Sequence, residues 1–189
     1  MAEPRGLAPL PADCWQQIFG NDRPVAVEIG PGRGEFLLAS AQRTPARNFY
    51  AIERSAARTR GLAARLAGVA NARVLWADAA CAIDLLPRSC VAAFHIQFPD
   101  PWWKRRHQKR RLWTPPFVAA LCRVLVPGGT IELITDVGDY FAFAQACLET
   151  EPRLERVTTD EPLELPTSFA HKAQRRGAVI WRSIHRRRP

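Results

Sequence analysis

Short apolar, β-branched runs recur along the chain and break off at an acid, a glycine or a proline: PVAVEIG over 24–30, NFYAIER over 48–54, ARVLWAD over 72–78, VAAFHIQF over 91–98 and TIELITD over 130–136. Between them apolar residues return every three or four positions, in FLLASAQR (36–43), the Ala/Arg/Leu segment 55–68, AACAIDLL (79–86), FVAALCRVL (117–125) and YFAFAQACLE (140–149). A short, nearly continuous apolar run fits a strand covered on both faces, and the three-to-four spacing fits a helix with one apolar stripe. The alternation predicts an α/β fold, a Rossmann-like, doubly wound and mostly parallel sheet. The VPGG of 126–129 is expected to be the turn that closes the preceding helix. RGAVIWRSIHRR (176–187) alternates apolar and polar residues, which predicts a C-terminal antiparallel strand at the sheet edge. Residues 1–24 are expected to be a proline-rich lead-in and 25–189 a single domain, since no repeat or low-complexity tract divides them.

A chain of 189 residues can bury a core without disulfide or metal staples. Its cysteines, at 14, 81, 90, 122 and 147, form no close CxxC pair, so they are expected to be small core residues in a reducing cytoplasm, with no metal site. No run approaches the ~20 apolar residues that span a bilayer, and no membrane partner is expected. The charge is +9, from 27 Lys and Arg against 18 Asp and Glu, and the excess is concentrated in 104–111 and in the tail from Lys172 to Arg188. Clustered cations favour a polyanionic partner, nucleic acid foremost. Oligomeric state is not legible in the pattern, with a monomer favoured.

Three of the first four strands end in an acid, Glu28, Glu53 and Asp78, and in open α/β sheets ligands sit across those carboxyl ends. Gly30, Gly32 and Gly34 permit a tight turn and close backbone approach, and Glu53, nineteen residues past Gly34, suits the two hydroxyls of a ribose. Asp78, one strand further out, is placed for an adenine edge. A dinucleotide loop would read GxGxxG and aim a helix N-terminus at a diphosphate, whereas GPGRG has Glu28 beside it. A carboxylate there suits a cation, which favours S-adenosylmethionine, with its ammonium and sulfonium, over a nicotinamide dinucleotide.

The fourth strand delivers FPDPWW to the same edge, with Pro99 and Pro101 fixing backbone angles on both sides of Asp100. Asp100 is the candidate catalytic residue, also placed to touch the cofactor, and Trp102 or Trp103 can stack on a base. The cations of 104–111 that follow suit an RNA backbone. No His or Cys nucleophile is apparent in these segments.

FPDPW with its continuation KRRHQKRRL, the glycine loop, Thr135-Asp136 and Tyr140 resemble the bacterial tRNA (guanine-N7)-methyltransferases of the TrmB type, over roughly residues 25 to 185. The resemblance implies a class I S-adenosylmethionine-dependent methyltransferase fold, tRNA as partner, and the variable-loop guanosine at tRNA position 46 as substrate. It places the substrate-contacting aspartate on Asp100, cofactor contacts on Glu28, Glu53 and Asp78, and substrate or RNA contacts on Lys104, Arg106, His107, Lys109, Arg110, Arg111 and Asp136. The family's late motif, Thr-x-Tyr/Phe-Glu and then a base, is similar to TSFAHK, with Thr167, Phe169 and Lys172 in place and Ala170 where the glutamate belongs. Ala178, Arg182 and Val137 also stand where the pattern has a histidine, an acid and a tryptophan. Two other readings stay open: a methyltransferase acting on another RNA or on another base, for instance at an exocyclic amine, and an RNA-binding relative that no longer transfers methyl groups.

Overall fold

The computed structural model describes residues 9–102, 106, 111–159 and 167–189. In chain order the elements are α1 (Cys14–Phe19), β1 (Val25–Ile29), α2 (Glu35–Arg43), β2 (Asn48–Glu53), α3 (Ala56–Arg65), β3 (Ala72–Trp76), α4 (Ala79–Leu85), β4 (Val91–Gln97), α5 (Pro115–Val124), β5 (Leu125–Thr135), α6 (Gly138–Glu149), β6 (Leu154–Val157), α7 (Ser168–Arg175) and β7 (Trp181–Arg187). The seven strands form one sheet in the order β3-β2-β1-β4-β5-β7-β6. β1 pairs in parallel with β2 and β4, β2 with β3 and β4 with β5, while β7 runs antiparallel between β5 and β6. The C-terminal strand β7 is antiparallel as the sequence predicts, but the edge itself is taken by β6, a four-residue strand too short to show a pattern, so that an antiparallel pair closes the sheet. Strand order reverses between β1 and β4, which opens a crevice at their carboxyl ends.

Each sheet face has its own apolar filling. Val25, Val27, Ile29, Phe94, Ile96, Ile131 and Leu133 point to one side and meet Val118 and Leu121 of α5 and Ala144 and Leu148 of α6. Ala26, Phe49, Ala51, Ala72 and Ala93 point to the other, under Leu37 and Ala41 of α2 and Leu62 of α3. The small residues on that second face let the helices lie close. Burying each Leu, Ile or Phe contributes about 1.5–3 kcal/mol, so the doubly covered sheet carries most of the stabilisation.

Three further elements differ from the sequence reading. Within the lead-in, α1 buries Cys14, Trp15 and Phe19 in the larger core, Trp15 donates from Nε1 to the Cys90 carbonyl at 2.7 Å, and Gly20 closes the helix in the left-handed region at φ 71°. Six residues are too few to show a helical period. The Pro-Gly-Gly expected as a turn lies inside β5, where the register against β4 shifts between Val91 and Ala93. A Cβ on Gly129 would sit 2.9 Å from the Val126 carbonyl and 3.0 Å from that of Ala92, so the shift requires glycine. The TSFAHK segment forms α7, capped by Thr167, whose Oγ1 accepts from the Ala170 amide at 3.1 Å. Cys14, Cys122 and Cys147 are core residues, and Cys81 and Cys90 are half-buried. No helix among the described residues is long and apolar enough to cross a membrane, and none of their acid, His or Cys groups clusters to hold a metal.

His185, in β7, is 2% exposed, and neither ring nitrogen has a hydrogen-bond partner among the described residues. Burial, with Arg156 opposite, pushes its pKa down to about 4. The folded state therefore binds fewer protons than the unfolded chain between about pH 4 and 6.5, and stability is lost as pH falls through that window. Chemical denaturation at pH 7 and pH 5 should show a smaller loss for His185→Leu than for the native chain; equal losses would mean that the imidazole is not buried neutral.

Candidate active site

β1 runs into Gly30-Pro31-Gly32-Arg33-Gly34, whose three glycines have φ of 73°, 56° and 71°, a region that side chains disfavour. Two of them serve distinct ends. A Cβ on Gly34 would lie 2.2 Å from Cδ1 of Leu62, so Gly34 lets α2 pack on α3, whereas a Cβ on Gly30 would meet nothing within 4 Å. Gly30 thus leaves open space at the carboxyl end of β1. Behind it Glu28 is 5% exposed, its Oε2 has no partner among the described residues, and burial pushes its pKa up to about 8.

Glu53 is buried at the end of β2, with Oε1 accepting from the Ser55 amide at 2.7 Å. Asp78 is exposed and caps α4, Oδ1 accepting from the Ala80 amide at 3.0 Å, so part of its role is structural. Asp136 is half-buried directly after β5. Asp100 is exposed between Phe98 and Trp102, both at φ 47°. Positive φ in two bulky residues is costly, more so for Phe98, which precedes a proline. No helix among the described residues begins at Asp100, so it is not a helix cap. Glu28 and Glu53 stand in the last two residues of β1 and β2, and Asp78, Asp100 and Asp136 follow β3, β4 and β5, all toward the carboxyl ends of the strands.

α7 lies against the loops that carry this site. The Ser168 amide donates to the Glu35 carboxylate at the start of α2. Phe169 sits 4.0 Å from where a Gly32 Cβ would be and stacks on Phe98 at 6.3 Å and 19° between planes. The ring is still 56% exposed, and Lys172 Nζ lies 5.9 Å from its centre. Phe169 is therefore available to a ligand, while the Thr167 hydroxyl is engaged as a cap. Sequence spacing did not reveal Glu35, because the contact spans 133 positions.

Lys104, His107, Lys109 and Arg110 lie outside the described residues. Arg106 is exposed. Arg111, expected on RNA, is turned into the fold: its guanidinium lies 4.7 Å from the Phe143 ring centre and 5.7 Å from that of Tyr140, and Nε donates to the Pro101 carbonyl at 3.1 Å. It ties the end of the basic segment to the residue after Asp100. Tyr140 is 1% exposed, and burial pushes its phenol up to about 12.

A family described as putative methyltransferase matches residues 22–183. A tRNA (guanine-N(7)-)-methyltransferase of Acidithiobacillus ferrooxidans is 37% identical over 183 residues, covering 93% of this chain and 81% of its own. That of Cupriavidus necator is 38% identical over 194 residues, covering 96% and 72%. The chain belongs to this methyltransferase family. Among solved structures, the 16S rRNA methyltransferase KamB superposes with a TM-score of 0.69 at 17% identity, covering 100% of this chain and 99% of its own. The aminoglycoside resistance methyltransferase NpmB1 gives 0.62 at 16%, covering 94% of each. These two share the fold of this family member.

Against the family pattern, Ala170 is wholly buried on Ile134, beside Phe98 and Ile180. A glutamate at that position would carry its carboxylate into this apolar contact among the described residues, an expensive arrangement unless it were paired. Arg182 has its own counter-charge, Nε donating to Glu132 Oε1 at 2.8 Å, while His95 Nδ1 lies 2.8 Å from Glu132 Oε2. These contacts hold Glu132 below the usual carboxylate range despite its burial. The arginine thus closes a polar row of His95, Glu132 and Arg182, its own backbone lying opposite Ile134, one residue from the carboxyl end of β5. Val137 packs on the core ahead of α6.

Two outcomes follow. Arg111→Lys keeps the charge and loses the planar stack and the Nε donor, so it should cost about 1–2 kcal/mol of stability in urea unfolding; an unchanged midpoint would return Arg111 to the solvent-facing set. For Glu28, the folded state holds a proton that the unfolded chain releases between about pH 4.5 and 8, so its contribution is present at low pH and lost as pH rises through 8. The stability of Glu28→Gln relative to the native chain should therefore grow from pH 6 to pH 9 in thermal melts, and a constant gap would contradict the buried, protonated carboxyl.

Proposed function

We propose that the protein transfers the methyl group of S-adenosylmethionine to N7 of a guanosine in tRNA, in the cytoplasm, with residues 25–189 acting as one catalytic domain. The single observation that carries this reading is Asp100, exposed on a strained Pro-flanked turn just after β4, the strand that pairs with β1, at whose carboxyl end Gly30 leaves open space. Family membership supports both the reaction and the substrate.

The residues present fit the cofactor. The buried, unpartnered Oε2 of Glu28 suits an ammonium group, Gly30 leaves room for close approach, Glu53 suits the ribose hydroxyls and Asp78 the adenine amino group. When bound, S-adenosylmethionine supplies an electrophilic methyl group on a sulfonium centre. Guanine N7 carries an in-plane lone pair, so the protein needs no base to remove a proton. Its contribution is alignment and electrostatics. Positive charge develops on the purine, and the Asp100 carboxylate beside it favours that charge more in the transition state than in the ground state. Phe169 and Trp102 offer ring faces for an unstacked base, and Asp136 a second acceptor. Lys104, Arg106, His107, Lys109 and Arg110 supply sequence-blind affinity for phosphates.

Incubation of the purified protein with unmodified tRNA and methyl-labelled S-adenosylmethionine, followed by digestion and mass spectrometry, should give labelled 7-methylguanosine. Asp100→Ala should lower turnover by about 10²–10³-fold while tRNA affinity stays nearly the same. Label in another nucleoside would replace the guanine assignment, and full activity in Asp100→Ala would remove that residue from the chemistry.

A further inference from the structure

Gln97 is the last residue of β4 and is 9% exposed, yet neither its Oε1 nor its Nε2 has a hydrogen-bond partner among the described residues. A buried amide without partners is costly. Its position suggests what completes it. Ile29 of β1 pairs with Ile96 of β4, and the residues that follow are Gly30 and Gln97. Gly30 leaves open space there. Glu28 pairs with His95, and parallel partners share a sheet face, so Glu28, His95 and Gln97 lie on the same side, the one covered by Phe36 of α2 at 4.8 Å from His95. His95 is already engaged with Glu132. Glu28 Oε2 and the Gln97 amide are left as buried polar atoms on one face of β1 and β4, beside the crevice where the strand order reverses.

We infer that Gln97 binds the amino-acid end of the cofactor, its carbonyl accepting from the ammonium group and its NH₂ donating to the carboxylate, a role that rests on the S-adenosylmethionine reading above. Glu28 alone offers only acceptors when ionised, and a zwitterion needs a donor as well. An amide supplies both from one side chain. The carboxylate–ammonium pair is the part that S-adenosylmethionine and S-adenosylhomocysteine share and 5′-methylthioadenosine lacks.

Isothermal titration of these three compounds into the native chain and Gln97→Met therefore tests the assignment without turnover. The variant should bind the two amino-acid-bearing compounds about tenfold or more weakly, as expected for lost charge-assisted hydrogen bonds, and 5′-methylthioadenosine within about twofold of native. Its melting temperature should be equal or higher, since an unpaired buried amide is gone. Gln97→Asn, which shortens the amide by one methylene, should show the same selective loss if methionine disturbs the packing. Unchanged affinities, or equal loss for all three compounds, would overturn the inference alone. A native chain that binds none of the three would overturn the cofactor reading and the inference with it.

Discussion

The structure depends on β1 having no face toward water. All five of its residues are buried, with helices on both sides, so polar chemistry in mid-strand is possible only where something else satisfies it. Glu28, one residue from the end, is the exception, and it lacks a partner for one oxygen among the described residues. Chemistry is thereby displaced to the carboxyl ends of the strands, where backbone turns outward. Because strand order reverses beside β1, the loops after β1 and β4 diverge there and leave a crevice between them.

What joins the loops of that edge is α7. Its start is held by the Glu35 carboxylate at the head of α2, its aromatic residue lies on the glycine loop and on Phe98, and its buried Ala170 packs on Ile134 near the end of β5. One short helix thus couples the loop proposed to hold the cofactor to the loop that carries Asp100. The strained Phe98 is part of that contact, so packing of the C-terminal segment helps hold a backbone conformation that the loop alone would not favour.

The arginines divide between surface and interior. Arg123 donates to the carbonyls of Ile83 and Leu86 at the end of α4, Arg182 satisfies Glu132, and Arg111 stacks on two rings of α6. The planar guanidinium can do this where an ammonium cannot, because it stacks and donates in fixed directions. A net charge of +9 therefore overstates the cationic surface available to a polyanion, and residues counted together in one basic run have different roles.

The sequence by itself determined the layered α/β fold, the run of parallel strands and the edge at which the acids gather. Those properties follow from local periodicity and from Glu28, Glu53, Asp78 and the FPDPW turn each falling at the end of an apolar run. Family resemblance rested on the same contiguous residues. Tertiary structure alone decided the rest: the helix hidden in the lead-in, the glycines of β5 in a register shift, the capping roles of Asp78 and Thr167, the inward turn of Arg111, the Arg182–Glu132 pair and the tie between Glu35 and Ser168. Each depends on groups brought together from distant positions or on an element too short to show a period. A one-dimensional pattern records which side chains want burial, and not which partner each polar group finds once it is buried.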